Sequence, residues 1–154
     1  MAISPNDTFS AGQVLTATEC NQFPRGVIAY SETTTSDATI TTTEEGQITS
    51  VNFTAFANRY YKITYFEPQL TNAVASNFTA RIRKGTLITS PEIQRSITTV
   101  SAAGYEPSNT VAVTTFTAGT QNVLVSLQGS AGTGTATRGA TFPAFLLIED
   151  IGPA

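Results

Sequence analysis

Two adjacent carboxylates, Glu149 and Asp150, follow an apolar run near the end of the sequence and are suited by type to acid–base chemistry. Carboxylate pairs that hydrolyse glycosidic bonds lie about 5 to 10 Å apart across one cleft. Consecutive residues of a β-strand point to opposite faces, so this pair cannot act on one substrate from a regular strand. The sequence therefore predicts solvated or salt-bridged carboxylates, with Arg25 or Arg138 as partners, and a protein that is not an enzyme.

A second set of residues is suited to binding rather than to reaction. Arg81 and Arg83 alternate with apolar residues, which places both on an outward strand face where they could contact an acidic partner or a glycan. The aromatic residues Tyr60, Tyr61, Tyr65 and Phe66 could supply a surface on which a sugar stacks. The candidate ligand face is Tyr60, Arg81 and Arg83. The alternative is that the arginines are solvated and the tyrosines pack in the core.

The composition excludes several kinds of catalytic and metal site. The chain has no His and a single Cys, which excludes nucleophiles activated by His and zinc sites built on His or paired Cys. Cys20 has no basic neighbour and is expected to be a small buried apolar residue. The Gly-rich segment GSAGTGTATRG lacks the Lys-Ser/Thr that completes a phosphate-binding loop, so a flexible hairpin is expected. No cofactor and no metal are therefore expected.

Charge and hydropathy also limit the partners. A net charge of -3 and a pI of 4.8 argue against binding to nucleic acid. No stretch approaches the ~20 apolar residues of a membrane-spanning helix. The N-terminus lacks the basic and apolar regions of a signal peptide, so we expect a protein that is made and folded in the cytoplasm.

Residues 1–26 differ from the rest and are predicted to be an anchoring arm with a short helix. Thr16 and Glu19 have the spacing of a capping box, and Leu15 and Cys20 could form the hydrophobic staple around it. Pro24 ends the element, which leaves about two turns, too few to be stable alone in water. The segment must dock on its own domain or on a neighbour. The candidate anchoring residues are Phe9, Val14, Leu15, Phe23 and Arg25.

Residues 27–154 are predicted to form an all-β domain. Thr is abundant and charged residues are only 12% of the chain, a combination that favours strands. Eight or so short strands with turn signals between them indicate an antiparallel β-sandwich or jelly roll.

Alternation along these strands predicts which side chains face the core. The inward sets are Val51, Phe53 and Ala55; Tyr61, Ile63 and Tyr65; and Phe78, Ala80 and Ile82. The strand that begins at the tyrosines is predicted to end at Pro68. A hairpin around Gly119 is predicted to bring Val111 and Val113 opposite Val123, Val125 and Leu127.

The last strand, FPAFLLIEDI, is apolar on both faces. A two-layer sandwich covers only one face of each sheet from within, so the second face needs another cover. A homo-oligomer is the simplest cover, with a cyclic trimer preferred over a dimer. The alternative is that the N-terminal helix or a loop of the same chain lies over it. The candidate interface residues are Phe142, Phe145, Leu146, Leu147, Ile148 and Ile151.

Three stretches resemble small structural virion proteins of tailed bacteriophages. The opening PNDTFSAGQVLTATECNQFPRGV is similar to a TAGQVLTA…N…PRG segment of that family, RYYKITYFEP to its GRxYxIxY strand, and PAFLLIEDIGP to its P…LLVEDIGP ending. Residues 31–47 and 101–108 match no motif. The resemblance implies a β-sandwich, often trimeric, that lies on the capsid surface or is attached to the tail and has no enzymatic activity.

Two functional hypotheses follow. The first is a non-enzymatic virion subunit made in the bacterial cytoplasm, a homotrimeric capsid decoration (cement) or minor tail protein. Its partners would be copies of itself and the major capsid or tail proteins, with no nucleic acid and no membrane. The alternative is a virion module that binds a glycan or receptor on the host surface through the candidate ligand face.

Overall fold

In the computed structural model, which describes residues 12, 14, 16–20 and 23–154, one helix and twelve strands follow one another. They are α1 (Ala17–Cys20), β1 (Gly26–Thr33), β2 (Asp37–Ile40), β3 (Glu45–Thr49), β4 (Phe53–Ala55), β5 (Arg59–Asn72), β6 (Ser76–Lys84), β7 (Glu92–Val100), β8 (Tyr105–Thr115), β9 (Gly119–Gln121), β10 (Val123–Gly129), β11 (Gly134–Ala136) and β12 (Ala144–Pro153). Every strand pairing among them is antiparallel, which confirms the predicted class.

The strands form a jelly-roll type of β-sandwich. The larger sheet has the order β1-β12-β5-β11-β2, and β8 pairs with the other edge of β5. The smaller sheet has the order β3-β10-β6-β7, and β4 pairs with β9 as a separate ribbon. Because β5 is 14 residues long, its first half pairs with β12 and its end pairs with β11.

The core lies between the two sheets and is built from alternate residues of each strand, as in other sandwiches. The fully buried apolar side chains of the central strands are Tyr61, Ile63, Tyr65, Phe78, Ala80, Ile82, Val123, Val125, Leu127, Leu146 and Ile148. The inward faces predicted for β5 and β6 are therefore confirmed. Thr79, Arg81 and Arg83 alternate with the buried residues of β6 and lie outside the core.

Other predictions about the strands are wrong. Val111 and Val113 point outward, at 44% and 56% exposure, because β8 pairs with β5 in the larger sheet and not with β10. Val51 is 56% exposed and precedes β4. Strand β5 passes Pro68 and continues to Asn72 through a bulge, where a missing N–H is tolerated.

The N-terminal helix is shorter than predicted. α1 is a single turn in which the Cys20 amide donates to the Thr16 carbonyl at 3.0 Å. A single turn offers little surface to bury, and Cys20 is exposed, contrary to the prediction. Val14 is 85% exposed. The predicted anchors Phe9 and Leu15 lie outside the described residues, as does the side chain of the predicted capping residue Glu19.

Candidate functional site

The outward face of the larger sheet carries a group of neighbouring apolar side chains. Strand pairing sets Tyr30 opposite Leu147, Leu147 opposite Thr64, and Thr64 opposite Val111, in one row across β1, β12, β5 and β8. Side chains paired in this way lie within contact distance of one another. We refer to the apolar side chains of this surface as the apolar face: Tyr30, Phe66, Val111, Val113, Phe145 and Leu147.

Aromatic contacts hold the apolar face in place. The Phe145 ring lies between those of Tyr30 and Phe66, with centroid distances of 6.2 and 5.5 Å and interplanar angles of 27° and 32°. The Tyr30 hydroxyl donates to Glu32 at 2.6 Å, which satisfies its polar end within the chain. Tyr30 nevertheless remains 47% exposed. The described chain therefore leaves this surface open to solvent or to a partner.

The structure separates the predicted interface residues into three groups. Leu146 and Ile148 have no exposed surface and lie in the core of their own chain, so their assignment to an interface is wrong. The reason is the two-residue period of the strand, which sends alternate side chains inward. The half-buried Phe145 and Leu147 belong to the apolar face. Phe142, in the loop before β12, and Ile151, near its end, are 45% and 38% exposed.

The two C-terminal carboxylates point to opposite faces, as their adjacent positions predict. Asp150 is buried and accepts two hydrogen bonds from Arg59, one from Nε at 2.6 Å and one from Nη2 at 2.8 Å. Glu149 forms a surface ion pair with Lys62 at 3.1 Å. The predicted partner Arg25 reaches Asp150 only at 4.0 Å. These carboxylates are structural and share no cleft.

Arg138, the other predicted partner of these carboxylates, pairs instead with Glu67. Its Nε donates to the Glu67 carboxylate at 2.9 Å, and its Nη2 donates to Gln47 at 2.7 Å. The Tyr65 hydroxyl donates to the same carboxylate. Burial, and then the adjacent Glu67 charge, raise the pKa of Tyr65 well above its usual value. These contacts pair the buried charges of Arg138 and Glu67 with each other and provide hydrogen-bond partners for both side chains.

Two of the predicted anchoring residues contact their own domain. Nη2 of Arg59 donates to the Phe23 carbonyl at 2.6 Å, which ties the segment before β1 to the end of β12 through Asp150. The Arg25 guanidinium lies 3.9 Å from the centre of the Phe56 ring, a cation–π contact. Whether these residues also contact a neighbour stays a prediction.

The two arginines of the predicted ligand face are occupied by ion pairs. Arg83 forms a bidentate pair with Glu44 at 2.8 and 2.9 Å, and Arg81 lies 3.3 Å from Glu92. Their side chains are 12% and 14% exposed. Burial tends to raise the pKa of Glu44, but hydrogen bonds from Arg83 and Ser126 outweigh it and the pKa is lowered. Both guanidinium groups are therefore neutralised by carboxylates and largely covered, and a ligand contact through them stays a prediction.

Tyr60, the remaining member of the predicted ligand face, is half-buried on β5, opposite Thr115 of β8 and Gly152 of β12. It is therefore separated from Arg81 and Arg83, which lie on β6 in the other sheet. The structure does not bring the three residues together as one surface.

A surface pocket that the sequence did not reveal lies where β5 and β8 separate. Its volume is about 320 Å³, and it is lined by Pro68, Gln69, Tyr105, Glu106, Pro107 and Phe142. Tyr105 is 64% exposed and Phe142 is 45% exposed. In the sequence, residues 101–108 match no motif, and Phe142 is predicted to belong to an oligomer interface. The one sequence feature that could have indicated the pocket is Tyr105-Glu106-Pro107, a tyrosine followed by a carboxylate and a proline.

No group of three or more His, Cys, Asp or Glu side chains in the described part of the chain is arranged to hold a metal ion. No helix among the described residues is long and apolar enough to cross a membrane.

The strand order and pairing make this protein a jelly-roll β-sandwich, and comparisons with known proteins add no family. No protein-family model matches the chain, and no curated protein matches it in sequence. Murine APRIL, in a crystal structure at pH 5.0, is 8% identical over 82% of this chain and 100% of that chain, with a TM-score of 0.49. The CBM22-1 xylan-binding domain of Paenibacillus barcinonensis Xyn10C is 8% identical over 86% and 99% of the two chains, with a TM-score of 0.34. At these values neither similarity assigns a ligand or a partner to this protein.

Proposed function

We propose that this protein is a non-enzymatic structural subunit of a tailed-phage virion. It forms a homotrimer that is displayed on the particle surface as a capsid decoration or tail-attached protein. The apolar face carries this proposal, because its aromatic and aliphatic side chains lie side by side on an open sheet surface. Contiguous exposed apolar surface of this kind marks interaction sites. The resemblance of three segments to phage virion proteins supports the location.

A second copy of the chain is the partner that fits this surface best. Four adjacent strands about 4.8 Å apart, each roughly ten residues long, project an area of about 600 Å². A standard interface takes about 800 Å² of accessible surface from each partner, so a contact of standard size would cover this face and some of the surface around it. Its centre is uncharged, and Glu149 and Lys62 at one end are already paired with each other. The exposed Glu32 carboxylate lies opposite Phe145 on the edge strand and accepts from the Tyr30 hydroxyl, so a contact between copies must leave Glu32 at its solvated rim.

Leu147→Asp tests the self-association. Leu147 lies at the centre of the row between Tyr30 and Thr64, and Asp there loses apolar burial and places an unpaired carboxylate in the interface. We expect the dissociation constant to rise about 100-fold or more, which corresponds to ~3 kcal/mol. Sedimentation velocity over a concentration series measures it. The wild type is expected to sediment as an oligomer, with a trimer as the main species.

Ile97→Asp is the matched control, because Ile97 is 63% exposed on β7 of the smaller sheet. The same change of side chain there should leave the oligomer intact. A wild type that is monomeric at micromolar concentration, or a Leu147→Asp variant that associates as tightly as the wild type, would contradict the proposal.

The virion location needs a separate measurement. Antibody labelling of purified particles in electron micrographs should place this protein on the outer surface of the head or on the tail. Mass spectrometry of the same particles should find it in stoichiometric, repeated copies. Its absence from particles that are otherwise complete would refute the virion role and leave the self-association standing.

A further inference from the structure

The pocket between β5 and β8 arises from a bulge at which two prolines meet. Glu67 pairs with Ser108 and Leu70 with Glu106, so that Pro68 and Gln69 oppose the single residue Pro107. An extra residue on one strand interrupts the ladder and bends the strand. Both prolines lack an N–H, so the interruption leaves no amide donor unpaired at either position. The depression is therefore part of the strand geometry and does not depend on a mobile loop.

A tight turn presents the Phe142 ring to this pocket. Gly139 and Phe142 exchange backbone hydrogen bonds at 3.1 and 3.3 Å. A Cβ on Gly139 would lie 2.9 and 3.0 Å from two atoms of the Phe142 ring, so the ring takes this position only because residue 139 has no side chain. The Thr137 amide donates to the Gln69 carbonyl at 2.8 Å and ties the turn to the bulge. The aromatic wall is thus held in place before any ligand binds.

The polar groups of the pocket are free, unlike those of the ion pairs described above. Within the described part of the chain, the side chains of Gln69, Tyr105 and Glu106 make no hydrogen bond or ion pair. By contrast, the carboxylates of Glu44 and Glu67 form ion pairs with Arg83 and Arg138, respectively. The pocket therefore combines exposed aromatic surface with a carboxylate, a carboxamide and a phenol that have unused hydrogen-bonding capacity.

We propose that this pocket binds an uncharged pyranose unit of an oligosaccharide. A pyranose ring offers an apolar C–H face, which packs on an aromatic side chain such as Tyr105 or Phe142, and hydroxyl groups around its edge. Glu106 can accept from these hydroxyls, and Gln69 can both donate and accept. The carboxylate and the net charge of -3 disfavour anionic sugars. The open, shallow shape suits one unit of a chain that continues beyond the pocket.

The position of the pocket separates this proposal from the proposed function. Pro68 and Pro107 lie on the same outward face as Phe66 and Asn109, one step further along β5 and β8. The pocket is therefore adjacent to the apolar face and outside the row that contains Leu147. The dissociated Leu147→Asp variant should keep its saccharide binding, so self-association and ligand binding can fail independently.

Binding is tested with the full chain on an array of neutral and sialylated oligosaccharides, followed by NMR titration with cellotetraose and with 3′-sialyllactose. We expect neutral glycans to bind on the array and to shift the amide signals of Gln69, Tyr105 and Glu106, with no such shifts from sialyllactose. Tyr105→Ala should weaken binding about tenfold or more, and Glu106→Gln about fivefold, because hydrogen bonds to a charged acceptor are the stronger ones. Ile97→Ala, an exposed change in the other sheet, should have no effect.

Gly139→Ala tests the preorganised ring. The added methyl displaces the exposed Phe142 ring, so binding should weaken several-fold while the unfolding midpoint in urea stays close to that of the wild type. The proposal is overturned if no neutral glycan binds, or if binding survives Tyr105→Ala unchanged. It is also overturned if the pocket takes choline or a proline-rich peptide and no saccharide, since both could use an aromatic surface beside a carboxylate.

Discussion

Replacing Asp150 by Asn removes one charge from the buried pair that joins β5 to β12 while almost preserving the shape of the side chain. Asp150 is 1% exposed, and it accepts two hydrogen bonds from Arg59 and a third from the Gly152 amide at 3.0 Å. The substitution removes the carboxylate charge to which the buried Arg59 guanidinium donates two hydrogen bonds. Arg59 also holds the Phe23 carbonyl, so the attachment of the segment before β1 is disturbed as well.

The expected loss is about 3–5 kcal/mol, the cost of breaking a buried ion pair by removing one partner. Domains are stable by about 5–15 kcal/mol, so this is a third or more of the typical total. For a chain of 154 residues, a loss of this size lowers the melting temperature by about 6–20 °C.

Glu149→Gln is the matched control, because the neighbouring carboxylate has a partner at the surface. The Lys62–Glu149 pair is 43% and 26% exposed, and such pairs contribute about 0–1 kcal/mol. Urea unfolding of both variants is best measured in the Leu147→Asp background, so that self-association does not add to stability. Equal, small losses for Asp150→Asn and Glu149→Gln would refute the reasoning, since they would mean that water reaches the Arg59–Asp150 pair.

Three further predictions concern stability. Gly134→Ala should lower the free energy of unfolding in urea by about 1–3 kcal/mol, because its methyl would overlap the fully buried Phe78 ring. A smaller loss than that of Gly139→Ala would show that the Phe78 ring can move aside. Because the pKa of Glu44 is lowered from 4.5, its ionised form stabilises the fold above about pH 4.5, and this contribution is lost as the pH falls through the lowered pKa. Glu44→Gln should therefore lose about 1–3 kcal/mol at pH 7 and much less at pH 3. Burial, and then the nearby Asp37 charge, raise the pKa of Glu45, which means that its ionised form is disfavoured in the folded protein. Glu45→Gln should therefore gain stability at pH 7. A loss of stability in both Glu44→Gln and Glu45→Gln would contradict the opposite pKa shifts of the two carboxyl groups.

The alternation of apolar and polar residues was sufficient to predict the β-class and the inward faces of the longest strands. Phe78, Ala80 and Ile82 are all fully buried, as are Tyr61 and Ile63. This information is local, because successive residues of any strand point to opposite faces. The same rule predicted that Glu149 and Asp150 would separate.

Predictions from the sequence were wrong or incomplete where the exposure or pairing of a side chain depends on which strands lie side by side. Val111 and Val113 were expected to face Val123, but β8 pairs with β5 and leaves both valines on the outside. Arg81 and Arg83 do lie outside the core, but Glu44 in the turn before β3 and Glu92 at the start of β7 form ion pairs with them. A charge that looks free in one strand can be paired by a residue dozens of positions away.

By itself the sequence determined that the chain forms amphipathic antiparallel strands, because side-chain alternation is a property of each strand alone. Only the tertiary structure decided which of the apolar residues remain exposed and which polar groups remain unpaired. Leu146 and Leu147 are identical in type and adjacent in sequence, yet one is in the core and the other on the apolar face. The pocket of Tyr105 and Phe142 joins residues from a strand and from a distant turn. Neighbours of this kind are set by the order of strands in the sheet, which no local pattern encodes.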